Sequence, residues 1–98
     1  MMDLRGLHYF SVVAEELNFT RAAQRLNMSQ PPLSNQIKAL EEELGTPLFL
    51  RGGRGLQLTE AGKLLYRRTA QLLDLAGEIV KSFCLAGLNI TMNQYNNK

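Results

Sequence analysis

The segment Ser29-Gln30-Pro31-Pro32-Leu33-Ser34-Asn35-Gln36 constrains this chain more than any other. Adjacent prolines fit a helix only in its first turn, where the N–H that proline lacks has no intrahelical partner. They fix a helix start at this point, and Ser29 stands where its side-chain oxygen is expected to cap the remaining donors. Behind them Leu33, Ile37, Leu40 and Leu44 recur at four, three and four residues, the mark of one buried helical face. Gln30, Pro31, Ser34, Asn35 and Lys38 are left on the outward side. That set is short, polar and nearly free of negative charge, the chemistry of a helix tip that enters a groove of DNA.

The flanking elements fit such a tip. Leu4, Leu7, Phe10, Ala14 and Leu17 keep a 3.6-residue period and predict a first helix from Leu4 to Leu17. Asn18-Phe19 breaks it, and Thr20 is the expected N-cap of a short second helix ending at Leu26. Ala22 and Ala23 are small enough to let that helix lie close to a neighbour. Asn27-Met28 makes the turn into the proline-headed helix, which ends at Gly45, a residue suited to the left-handed position after a helix. Two helices joined by so short a turn form a helix-turn-helix.

After Gly45 the period changes. Leu48-Phe49-Leu50-Arg51 and Leu56-Gln57-Leu58 read as two strands around Gly52-Gly53-Arg54-Gly55, a hairpin (a wing) with Arg54 near its tip. Thr59 then caps a long helix, with Glu60 favourably placed at the positive end of its dipole. Along that helix Leu65, Leu72 and Ile79 repeat every seven residues, with Ala76 and Phe83 at the complementary position. Tyr66, Leu73 and Val80 form a second, adjacent line. Two apolar lines let one helix serve its own domain and a second copy of the chain, the competing reading being a single broad face on the domain core.

The expected fold class is therefore mainly α: a three-helix winged helix-turn-helix with a two-stranded wing over residues 1–59, then a linker or dimerisation helix over 60–84. Residues 85–98 lose the pattern and are expected to be disordered or to take order from a neighbour.

Composition narrows the function classes. The apolar fraction of 45% suits a folded domain, and no apolar run approaches the ~20 residues of a membrane span. No basic-then-apolar leader opens the sequence, so a cytoplasmic location is expected. The single cysteine, Cys84, rules out an internal disulfide framework. One histidine, His8, without a neighbouring ligand set, gives no metal site, and no nucleophile has a base placed by motif, so neither an enzyme nor a cofactor is expected. Net charge is only +2, but the arginines and lysines lie mainly before residue 70, and the acids cluster at Glu15-Glu16 and Glu41-Glu42-Glu43. If the acidic helix ends point away, one face is basic; otherwise these are solvated charges of an ordinary surface.

The chain resembles the N-terminal DNA-binding domain of LysR-type transcriptional regulators of bacteria. The likeness runs from Leu4 to about Val80. It includes Leu4-Arg5 with Tyr9-Phe10, Phe19-Thr20-Arg21-Ala22-Ala23 with Leu26, and Ser29-Gln30-Pro31-Pro32-Leu33-Ser34 with Ile37. Leu40-Glu41, Leu44-Gly45, Leu48-Phe49, Arg51, Leu58-Thr59 and Ala61-Gly62 complete it. The resemblance implies a dimer on double-stranded DNA, with the third helix in the major groove and the wing at the adjacent minor groove. Gln30, Pro31, Pro32, Ser34, Asn35 and Arg54 would meet base edges or grooves; Thr20, Ser29, Lys38 and Arg51 would meet phosphates. Leu65, Leu72, Ala76, Ile79 and Phe83 would form the dimer seam.

Each role has a plainer competitor. Gln30 matches the N6/N7 edge of adenine, or it is simply an exposed first-turn residue. Pro31 and Pro32 offer apolar contact to a thymine methyl, or only stiffen the helix start. Arg54 between glycines suits the negative potential of a narrow minor groove, whereas Arg51 has an ion pair with Glu41, Glu42 or Glu43 as its competitor. Asn35 stands where the family often has arginine, which leaves the preferred base open. The family also continues into a larger effector-sensing domain, which Cys84 to Lys98 does not resemble, so no small-molecule effector is expected in these residues. An engineered fragment, a truncated gene product and an altered tail all fit that ending. A protein-interaction module that pairs with a full-length regulator, and a winged helix from a molybdate-responsive family, are the functional alternatives.

Overall fold

The computed structural model describes residues 2–85. Four helices and one hairpin follow in the order α1 (Leu4–Glu16), α2 (Phe19–Arg25), α3 (Gln30–Leu44), β1 (Phe49–Gly52), β2 (Gly55–Leu58) and α4 (Glu60–Leu85). Residues 86–98, which hold nearly all of the expected tail, lie outside the described residues.

α1 is the central helix, packed against α2, α3 and α4. Its inward side is almost wholly buried, with Phe10 and Val13 fully enclosed. Asp3 caps it by accepting from Gly6 N at 2.7 Å. It ends one residue earlier than its period predicts: Leu17 is left-handed, at φ 49°, and its N–H bonds the Val13 carbonyl at 2.7 Å. α2 is capped by Asn18, which accepts from Arg21 N at 2.9 Å, and not by Thr20. Asn18 takes that place because its extended backbone aims its side-chain oxygen at the first free amides. Thr20 falls inside the helix, where its hydroxyl is available to another partner.

α2 packs against α1 and α3 with Ala22 and Ala23 buried in the core, and the turn from α2 to α3 uses Asn27 at φ 54°. Asparagine tolerates the left-handed region better than other side chains, and here it closes a tight turn without glycine. Leu33, Ile37 and Leu40 carry the buried face of α3, while Leu44 is partly exposed. Gly45 ends that helix at φ 72°, its N–H bonding the carbonyls of Glu41 and Glu42.

The start of α3 differs from expectation in its chemistry. Ser29 has the extended backbone of an N-cap, yet its side chain makes no cap hydrogen bond. A capping oxygen accepts from the amides of the second or third helical residue, and those residues are Pro31 and Pro32. Neither has an N–H to give, so the Ser29 hydroxyl has no helical donor to accept from.

β1 and β2 pair antiparallel with Phe49 opposite Leu58 and Gly52 opposite Gly55, leaving Gly53-Arg54 as a two-residue turn. Two side chains fasten this wing to the helices. The Glu41 carboxylate on α3 accepts from Leu48 N at 2.7 Å and Phe49 N at 3.3 Å. The Thr59 hydroxyl donates to the Pro47 carbonyl at 2.8 Å and accepts from Gly62 N at 3.0 Å, capping α4 as expected.

At 26 residues, α4 extends about 39 Å at 1.5 Å per residue. Its two apolar lines separate. Leu65 and Tyr66 pack against the core of the winged domain and Val80 is buried. Leu72 and Ile79 are 40% and 52% exposed, and with them Leu64 at 47% and Leu75 at 55%. The outward line therefore starts at Leu64 and not at Leu65, which the seven-residue spacing had grouped with it. Ala76 is half-buried. Phe83 lies within the helix, but its side chain is outside the described residues.

Candidate nucleic-acid interface

The outward tip of α3 carries Gln30, Pro31, Pro32 and Asn35 on its exposed surface, with Ser34 half-buried beside them. Ser34, Asn35, Lys38 and Glu41 share one shallow groove with Pro47, Phe49 and Arg51 from the wing side. The sequence-predicted residues of helix tip and wing base are thus brought together. Arg54, at the exposed turn of the hairpin, stands beyond that groove.

Aromatic packing sets the wing base. Phe10 in α1 meets Phe49 with ring centroids 5.5 Å apart, and Phe49 meets Phe19 at 6.1 Å. The Arg51 guanidinium then lies over the Phe19 ring, 4.8 Å from its centroid. Among the described residues, no ion pair joins Arg51 to Glu41 or Glu42, the expected competitor. Glu41 is held by the wing amides, so its charge stabilises backbone donors and not the arginine.

The other arginines sort by side. Arg21 bonds Glu16 at 3.3 Å, and Arg25 bonds Glu15 and Glu16, both at 3.0 Å. These pairs raise the pKa of the Arg25 guanidinium above its ordinary value, the hydrogen bonds it donates to Glu15 and Glu16 being the main cause. Arg21 and Arg25 are therefore neutralised at the α1–α2 corner. Among the described residues no ion pair engages Lys38, Arg51 or Arg54. The modest net charge of +2 thus conceals a basic stripe along the helix tip and wing.

Within the tip, the Thr20 hydroxyl donates to Gln30 Oε1 at 3.2 Å. Sequence reasoning places Thr20 and Gln30 on one surface but does not find this contact, because it crosses two helices ten residues apart. Leu64 and Leu75 were likewise missed, for want of a register to distinguish adjacent leucines on α4.

An exposed, acid-free helix tip beside a basic wing defines a winged helix-turn-helix DNA-binding domain. Residues 4–63 match the family model for the bacterial regulatory helix-turn-helix protein, lysR family, and the chain belongs to that family. It is 57% identical over 88 residues to a probable cat1 operon transcriptional activator of Acinetobacter lwoffii, covering 90% of this chain and 29% of the relative. It is 59% identical over 75 residues to the regulator BudR of Klebsiella aerogenes, covering 76% of this chain and 52% of that one. The chain thus spans between about a third and a half of the length of these relatives. Its fold is similar to the BenM DNA-binding domain in complex with catB site 1 DNA, with a TM-score of 0.83, 42% identity, and coverage of 91% of this chain and 100% of that one. The CbnR DNA-binding domain in its DNA complex gives a TM-score of 0.80 at 42% identity, covering 88% and 99%. The chain accordingly carries the DNA-binding domain of a family of transcriptional regulators, not of enzymes. Among the described residues no helix is long and apolar enough to cross a membrane.

Proposed function

We propose that two copies of this chain bind a partly palindromic site in double-stranded DNA, in the bacterial cytoplasm. Each α3 tip enters a major groove, where Gln30, Pro31, Pro32, Ser34 and Asn35 face base edges. Arg54 reaches the adjacent minor groove, and Ser29, Lys38 and Arg51 approach phosphates. The single observation that carries this reading is the surface itself: a neutral helix tip flanked by Lys38 and Arg51, neither engaged in an ion pair among the described residues. Basic groups left unpaired beside a groove-sized tip neutralise phosphates and release counterions. The free Ser29 hydroxyl supports the same reading, since the prolines leave it no amide to cap.

The pairing of copies is supported by the exposed line Leu64, Leu72, Leu75 and Ile79 on α4, beside the half-buried Ala76. Two α3 helices held by such a seam would enter successive major grooves ~34–36 Å apart.

Selection of bound duplexes from a random pool at two salt concentrations tests the proposal. A two-fold-related consensus, bound more weakly at higher salt, is the expected result. Recovery of no sequence, with the chain captured only by a full-length regulator, would show a dimerisation module instead.

A further inference from the structure

We infer that Thr20 is a positioning residue for sequence readout: it fixes the Gln30 side-chain amide so that its donor end, and not its acceptor end, faces the DNA. The inference rests on the DNA reading above and specifies how its tip discriminates bases.

The geometry has three parts. First, the Thr20 hydroxyl donates to Gln30 Oε1 at 3.2 Å. A threonine deeper in a helix commonly donates to the carbonyl four residues back, but Thr20 is the second residue of α2 and its own helix supplies no such carbonyl, so its hydroxyl crosses to α3. Second, α2 packs directly against α3, with Ala22 and Ala23 of α2 buried in the core, so the helices that carry the two residues hold a set spacing. Third, Oε1 and Nε2 diverge from one planar carbon, so with Oε1 engaged by Thr20 on an exposed residue, Nε2 is the end left without a partner among the described residues.

Chemical consequences follow for both residues. A hydroxyl has one hydrogen to donate, and Thr20 gives it to Gln30, so it has none left for a phosphate oxygen. Gln30 in turn offers two N–H donors outward, while its acceptor oxygen is turned toward α2. In the major groove guanine (O6 and N7), adenine (N7) and thymine (O4) each present an acceptor, whereas cytosine presents only its N4 donor. Gln30 so held disfavours cytosine at its position, because cytosine needs the acceptor end of the amide.

Sequence selection with the wild type, Thr20→Val and Thr20→Ser provides the test. Valine keeps the shape and removes the hydroxyl; serine keeps the donor. The wild type should discriminate against cytosine by roughly tenfold at one position of each half-site, within the range of a single mismatch. Thr20→Val should lose that preference at that position alone, since the freed amide flips to suit either class, and Thr20→Ser should restore it. Far-ultraviolet circular dichroism and thermal melting confirm that both variants fold. An unchanged preference in Thr20→Val overturns the inference. So does an equal loss of affinity for every sequence, which would mark Thr20 as a phosphate contact. A wild type that selects no sequence overturns the DNA reading and this inference together, which separates the two failures.

Discussion

The Arg51 guanidinium lies 4.8 Å from the centroid of the Phe19 ring, at the end of an aromatic series that runs back through Phe49 to Phe10 in the core. A solvent-exposed cation over this half-buried ring gains about 0.5–1 kcal/mol, enough to restrict the side chain while leaving its charge open to a phosphate. Anchor and charge are therefore separable. Arg51→Ala should weaken binding to all sequences alike and reduce the slope of log affinity against log salt by about one. Phe19→Leu should lower affinity while keeping that slope, because the charge remains and only its placement is lost. Equal slopes for Arg51→Ala and the wild type would remove Arg51 from the phosphate contacts.

Capping energetics distinguish Ser29 from the residues that do cap. Asn18 and Asp3 each accept from a backbone amide, at 2.9 and 2.7 Å. Replacing either with alanine should destabilise the fold by about 1 kcal/mol. Ser29→Ala should leave the melting temperature unchanged within a few tenths of a kcal/mol, since Pro31 and Pro32 offer no amide for its oxygen. Its effect should fall on DNA affinity. A loss near 1 kcal/mol in unfolding experiments would show that Ser29 caps after all.

How far the sequence reveals the molecule depends on the range of the interaction. Helical period, proline position and glycine stops are local, and they place α1, α3, the hairpin and α4 to within a residue or two. The cap of α2 was misassigned because Asn18 and Thr20 are both good cap residues and only the observed backbone separates them. The capping role of Ser29 is a different matter: Pro31 and Pro32, plain in the sequence, already lack the amides it would need. Contacts across the fold are not readable from spacing. Glu41 turning to the Leu48 and Phe49 amides, Arg51 turning to Phe19, and Thr20 meeting Gln30 each depend on how elements lie in space. Leu64 and Leu65 show the same limit on α4, where neighbouring leucines face opposite ways.

Gly62 marks the closest approach between wing and long helix. A β-carbon there would run into the Leu48 carbonyl oxygen and stand 2.8 Å from Leu58 Cδ2. The obstacle is backbone, and the same carbonyl accepts from Thr59 N at 3.0 Å. Alanine would gain about 1 kcal/mol in helix propensity, but overpacking typically costs about 1–3 kcal/mol. Gly62→Ala should therefore lower the melting temperature. Because the wing must shift, it should also weaken DNA binding. Gly77→Ala, with nothing within 4 Å of the added carbon, is the control and should stabilise α4. Equal melting temperatures for the two variants would contradict the close packing.

Tyr66 ties α4 to α1 by donating its hydroxyl to Glu15 Oε2 at 3.1 Å. Burial foremost, and then this bond to a carboxylate, raise the Tyr66 pKa above its ordinary value of 10.0. A raised pKa in the folded state means that the folded chain holds a proton which the unfolded chain releases first. The contribution of Tyr66 is thus complete below pH 10.0 and is lost as pH rises through the higher folded value. Denaturant unfolding of the wild type should show stability falling over that alkaline range, and Tyr66→Phe should show a shallower fall. Identical alkaline slopes would separate Tyr66 from the linkage.

The outward line of α4 supplies the last test. Leu75 and Ile79 are 55% and 52% exposed and lie on one side of the helix, away from the face that packs on the core. A charged residue at such positions changes the stability of a single folded chain by only about 0.5 kcal/mol. Buried in a seam between two copies, the same charge loses its hydration without gaining a partner and disrupts the pair. Leu75→Glu with Ile79→Glu should therefore keep the helical content of the wild type while sedimentation velocity reports a monomer. On a duplex with two half-sites, loss of linked binding should reduce affinity by about a hundredfold or more, because avidity between joined modules is of that order. On a single half-site, affinity should hardly change. A double variant that still sediments as the wild type does would place the pairing surface elsewhere.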